Sequence, residues 1–196
     1  DNLFPANKLI PAGMENKMAE LLRHEDVLHL DLRTITFRFT QPRGKEPRSK
    51  DTLQNYRDRG TGRVRGVKDA HKDVELKFWE TAATVGITDD AIRVSAARFK
   101  DTLNGLANQL ARTGYLFGND LTVMDIAWVI YVNRLVRCGY PLEQLHPKVD
   151  EWFGREAVAR FLKRMLKEYP ELAQELQKNK NMMITLDAEL GFKQPF

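Results

Sequence analysis

A chain of 196 residues holds one domain of ordinary size, and its 42% hydrophobic and 30% charged residues are those of a folded globular chain, not a disordered one. The single cysteine, Cys138, excludes an internal disulfide and a cysteine zinc site, which fits a reducing cytoplasm, the expected location. The net charge is only +4, yet residues 38–68 carry ten basic side chains against three acids.

The chain opens on Asp1 and not on Met, so further sequence ahead of it is expected. Residues 1–11 hold Pro5 and Pro11 and read as a linker-like, extended lead-in. From Ala12 a long helix is expected. Met14, Met18, Leu21, Leu28, Leu32, Ile35 and Phe39 recur in steps of four and three, broken only at Glu25, which gives nearly eight turns with one apolar stripe. It ends at Gln41-Pro42, with Gly44 and Pro47 beyond.

Residues 41–67 contain four glycines and few apolar positions, and read as a basic loop with at most one short turn over residues 52–57. Further helices are expected over residues 68–85, 89–111 with Thr88 as N-cap, 123–136, 148–154, 156–168 and 171–190. No segment alternates over strand length, so the fold class is all-α, a helical bundle forming a single domain over residues 12–196. The longest apolar run, residues 126–132, is far shorter than a bilayer span, and no membrane association is expected.

The most specific local pattern runs from Gly118 to Trp128. Thr122 can cap the helix that follows while Asp125, at its third position, reaches back to the Thr122 amide, a capping box. Leu121 before the cap and Ile126 after it are spaced for a hydrophobic staple. A helix so apolar from Ile126 onward is expected to be the buried centre of the bundle, and Asp125 to be structural.

Gly118…Leu121-Thr122-x-x-Asp125-Ile126-Ala127 resembles the capped central helix of the C-terminal domain of glutathione transferases. Leu145-His146-Pro147-Lys148-Val149-Asp150-Glu151-Trp152 resembles the next helix of that domain, and Leu3-Phe4-Pro5 resembles its interdomain linker. The motifs are concentrated in residues 115–162. The long insertion before Thr88 is similar to that of bacterial members with an enlarged helical domain, such as the β-etherase-like transferases. Gln41-Pro42-Arg43-Gly44-Lys45-Glu46-Pro47 has the look of the family's cis-proline run, but Glu46 replaces an apolar residue and no Glu-Ser pair follows, so it is a chance match.

The resemblance implies that the thioredoxin-like domain, which supplies the thiolate-stabilising Tyr, Ser or Cys, is not present in this chain. This chain would then supply the hydrophobic wall for an electrophile and part of a dimer surface. Glutathione would be co-substrate for conjugation or thioether chemistry, and the thioredoxin-like domain, a second copy and a small hydrophobic electrophile would be the partners. Lowering the thiol pKa, the main rate gain, falls to the absent domain. The chain alone is therefore expected to be inactive, and whether the parent is an enzyme turns on that domain.

Substrate contacts are expected from His29, Arg33 and Phe37, spaced i, i+4 and i+8 on one face of the first helix. Arg33 suits a glutathione carboxylate and Phe37 an apolar substrate. Tyr115 and Tyr131 read as core or edge aromatics, and Cys138 as an inert small residue. His24 and His29 diverge around the helix and make a poor metal pair, so no metal site and no catalytic residue are assigned. The main rival is a non-catalytic protein–protein interaction module of the same fold. An unrelated bundle with nucleic-acid affinity ranks third, because no aromatic ladder accompanies the basic segment.

Overall fold

The computed structural model describes residues 8–40, 48–59, 62–64 and 66–155. The helices expected over 156–168 and 171–190 and most of the lead-in lie outside the described residues. Eight helices and one short hairpin follow in order: α1 Glu15–Val27, α2 His29–Thr40, α3 Lys50–Asp58, β1 Arg63–Val64, β2 Val67–Lys68, α4 Ala70–Thr84, α5 Asp89–Leu110, α6 Val123–Arg137, α7 Leu142–Leu145 and α8 Pro147–Phe153. The fold is that of an all-α domain.

The single first helix of the sequence reading is two helices. Pro11 accepts the Met14 amide in a turn that delays the start to Glu15. At Leu28 the amide bonds to the carbonyl of Glu25, a tighter step than the α-helical one, and the helix resumes at His29. Glu25 is the position that breaks the apolar stripe, and the change of pitch there lets the two halves face different neighbours. α1 packs on α6, whereas α2 packs on both α5 and α6. Met18, Leu28, Leu32, Ile35 and Phe39 all reach the core.

The basic segment also departs from the loop reading. Ser49 accepts the Thr52 amide and caps α3, nine residues long, whose one buried side chain is Leu53. After it, Arg63 pairs with Lys68 and Val64 with Val67 in an antiparallel hairpin closed by Gly66 at φ 82°. A ladder of two residues per strand is too short for alternation to show in sequence. α3 packs on α4, and Trp79 of α4 meets Phe37 of α2 at 4.7 Å, ring edge to face, so this unit is anchored on α2.

α5 begins where Thr88 accepts the Ala91 amide. Ile92, Phe99 and Leu103 of α5 lie in one core with Trp128, Val132 and Leu135 of α6 and with Val149 and Trp152 of α8. Burying several such side chains, at roughly 1.5–3 kcal/mol each, is the main favourable term. α6 is not buried all round as expected: Ile126 is 39% and Ile130 48% exposed, one turn apart on a face that the described helices leave open. Leu121 is half-buried, and neither it nor Ile126 belongs to the core. A one-turn helix, α7, precedes α8 and has no counterpart in the sequence reading. Upstream, the Leu9 carbonyl accepts the Val123 amide, holding the lead-in against the start of α6.

Candidate functional site

The frame of the site is set at the start of α6. Thr122 and Asp125 form a capping box. Asp125 is wholly buried and accepts four hydrogen bonds. Its Oδ2 takes the Thr122 amide at 2.9 Å and the Thr122 hydroxyl at 2.8 Å, while Oδ1 takes the Leu116 amide at 3.0 Å and the Trp152 indole at 2.8 Å. One carboxylate thus fixes the cap, the loop after α5 and α8. That loop turns at Gly118, whose φ of 119° suits glycine and whose carbonyl accepts the Tyr115 amide. A second buried carboxylate, Asp31 of α2, accepts from Ser95 Oγ at 2.8 Å and from Arg98 of α5 at 3.1 Å.

His29, Arg33 and Phe37 do share a face of α2, and that face is covered, not solvated. Arg33 donates to His29 Nε2 at 3.0 Å, pairs with Glu75 of α4, and lies 5.5 Å over Phe78 and 5.4 Å over Trp79. Arginine has only donors, so His29 Nε2 must accept, which places the neutral ring's proton on Nδ1. That nitrogen lies 3.4 Å from the Tyr131 hydroxyl. Burial first, and then the Arg33 and Arg134 charges, hold the His29 pKa below its ordinary value. Burial raises both the Glu25 carboxyl and the Tyr131 hydroxyl. A glutathione carboxylate at Arg33 would have to displace Glu75.

Two open spaces lie on the flanks of α4. One is an apolar cleft of about 450 Å³ lined by Leu30 and Thr34 of α2, Phe78 and Ala82 of α4, Ile87 and Ala91. The other, of similar volume, lies between α3 and α4 and is lined by Leu53, Tyr56 and Trp79, by the cations Arg48 and Arg59, and by Glu75. His29, Arg33 and Phe37 line neither cleft. Leu30 and Thr34, one position along from His29 and Arg33, line the apolar one. Their spacing was visible in the sequence, and so was a helix over residues 68–85, but not that this helix, α4, lies against α2.

Elsewhere, Cys138 is buried and the Tyr140 hydroxyl lies 2.8 Å from His146 Nε2, their rings parallel. Among the described residues no cluster of His, Cys, Asp or Glu could hold a metal ion, and no helix is long and apolar enough to cross a membrane.

Comparison with known proteins gives one match. Residues 89–155 fit the family model described as glutathione S-transferase, C-terminal domain, an interval that starts at the first residue of α5 and closes just after α8. It therefore contains the whole Asp125 arrangement. No curated protein and no solved structure matches the chain.

Proposed function

Since residues 89–155 match the family model of the glutathione S-transferase C-terminal domain, we propose that the chain is the helical half of a glutathione transferase-like protein. In this reading it supplies the hydrophobic wall for the electrophile, and a dimer surface, while a separate thioredoxin-like domain binds glutathione and activates its thiol. The reaction is attack of that thiolate on an electrophilic carbon, in conjugation or thioether chemistry. The observation that carries the reading is the apolar cleft beside α2, whose volume of about 450 Å³ suits a small ring system. Leu30, Phe78 and Ile87 offer it apolar contact, and α2 is the helix to which the resemblance pointed.

The test is a titration of the chain with 1-chloro-2,4-dinitrobenzene, with and without glutathione. Saturable binding is expected without glutathione, weakened about tenfold by Phe78→Ala or Ile87→Ala, roughly the loss of one apolar contact. Conjugation by the chain alone should not exceed the uncatalysed rate. Binding indifferent to both substitutions, or robust glutathione-dependent turnover by the chain alone, would overturn the reading.

The alternative, a non-catalytic protein-interaction module of the same fold, draws on Ile126 and Ile130, which present an apolar strip on α6. Under that alternative the titration shows no saturable binding.

A further inference from the structure

We propose that the cleft between α3 and α4 is a binding site for a planar aromatic anion, with its ring against Tyr56 and the edge of Trp79 and its acid group between Arg48 and Arg59. The inference does not depend on the transferase reading, since this cleft lies in the segment before Asp89.

Charge is the first ground. Glu75, the one acid among the described residues lining the cleft, is already paired with Arg33 from the α2 side. Arg48 and Arg59 also line it, and neither guanidinium makes an ion pair with a described carboxylate. Among the described residues the cleft thus carries two cations without an ion-pair partner, which suits a carboxylate or sulfonate. A guanidinium pair suits such a group because each planar fork can present two N–H donors to its oxygens.

The aromatic lining is the second ground. The Arg48 guanidinium lies 4.5 Å from the Trp79 ring centroid, and Tyr56 keeps 44% of its surface exposed at the cleft. A flat ring entering there meets an aromatic face beside the cations that hold its acid group, so stacking and cation–π attraction act on the same molecule. Asn55 and Thr52 add polar groups at the wall.

The third ground is that the walls are fastened. Lys72 of α4 donates to the carbonyls of Arg57 and Arg59 at 2.8 and 2.7 Å, closing the C-terminal end of α3 onto α4. Arg57 also pairs with Glu80, and Trp79 is held from behind by Phe37. The cleft therefore exists before a ligand arrives, which reduces the ordering cost of binding. The volume of about 450 Å³ fits one or two fused rings.

The test is isothermal titration of the 196-residue chain with 2-naphthoate, with 2-naphthalenemethanol as the neutral control of the same ring size, and with glutathione as a non-aromatic anion. Naphthoate should bind at least about tenfold tighter than either control, and the advantage should shrink as salt is raised. Arg48→Gln, Arg59→Gln and Tyr56→Leu should each weaken naphthoate about fivefold or more. All three positions are exposed, and an unchanged thermal melt verifies the fold. Phe78→Ala, in the apolar cleft, should leave naphthoate binding unchanged, which separates this site from the electrophile wall. Equal binding of the alcohol, tighter binding of glutathione or of a short single-stranded oligonucleotide, no binding of naphthoate, or indifference to both arginine substitutions would overturn the proposal.

Discussion

The Trp152 indole donates to Asp125 Oδ1 at 2.8 Å across 27 residues of chain, and both side chains are fully buried. The bond closes α8 onto the start of α6 through the same carboxylate that organises the cap of α6. A single acid therefore coordinates three segments that are separate in sequence.

Asp125→Ala should be among the most damaging substitutions in the protein. It strands the amides of Leu116 and Thr122, the Thr122 hydroxyl and the Trp152 indole inside the core. The expected loss is about 3–5 kcal/mol, with a fall in Tm of about 10 °C or more. Thr122→Val should cost only about 1 kcal/mol, since Asp125 keeps its other donors. Chemical denaturation of the two variants checks the ordering, and near-equal losses would contradict it.

The tie between α2 and α5 has a graded prediction. Asp31 is buried, whereas the Arg98 side chain is 61% exposed. Arg98→Ala should cost well under about 1 kcal/mol because solvent screens the pair. Ser95→Ala should cost about 1 kcal/mol, and Asp31→Ala about 2–4 kcal/mol by leaving the buried Ser95 hydroxyl without its acceptor and the helices unjoined. Equilibrium urea denaturation of the three variants measures the series.

His146 gives the protein a pH dependence of definite sign. It is buried, its Nδ1 has no hydrogen-bond partner among the described residues, and burial, with the Lys100 charge, lowers its pKa to about 4. The unfolded chain takes up the proton near the ordinary value of about 6.5, so the neutral native form is favoured above that pH. This contribution is lost as pH falls from about 6.5 to about 4, and is no more than about 3 kcal/mol. Replacing His146 by Gln should flatten the stability profile over that window relative to the parent chain. Parallel slopes in the two proteins would remove His146 as the cause.

A second histidine reports on the α2–α6 contact. His29 should be neutral at pH 7, with a titration midpoint below the usual histidine value. Arg33→Met removes one of the charges that depress it and should move the midpoint upward, and Arg134→Met should act in the same direction. Proton NMR of the imidazole ring follows both shifts, and a downward movement in either variant would refute the account.

Much of the helical frame was legible because its determinants are local. Thr88 before α5, Thr122 with Asp125 at α6 and Pro147 at the first position of α8 are all statements about residues within one turn of each other. The Thr122 half of the Asp125 arrangement could be read in this way. The other half could not, because Leu116 and Trp152 reach the carboxylate only after the chain has turned at Gly118 and returned through α8. The break at Leu28 was hidden for a different reason: the apolar stripe continues across it, and only the choice of α6 by α1 and of α5 by α2 reveals the change of pitch. α3 offered a single core residue, Leu53, in a segment dominated by charge. As for the candidate face, the register of His29, Arg33 and Phe37 was plain, but their occupation by Glu75, Tyr131 and Trp79 is a property of helix packing.

α4 also acts as a partition. It is one helix thick, about 10 Å, with Phe78 turned to one chamber and Trp79, the next residue, to the other. That thickness is close to the distance over which physiological salt screens a charge, about 8 Å. A unit charge placed between Arg48 and Arg59 would register roughly 1–2 kcal/mol on the far side of the wall at an effective dielectric constant of about 20, and salt in the open clefts would cut that to about 0.5 kcal/mol. The two chambers are neighbours in an electrical sense, and a charge that fills one shifts the potential in the other, most strongly at low salt.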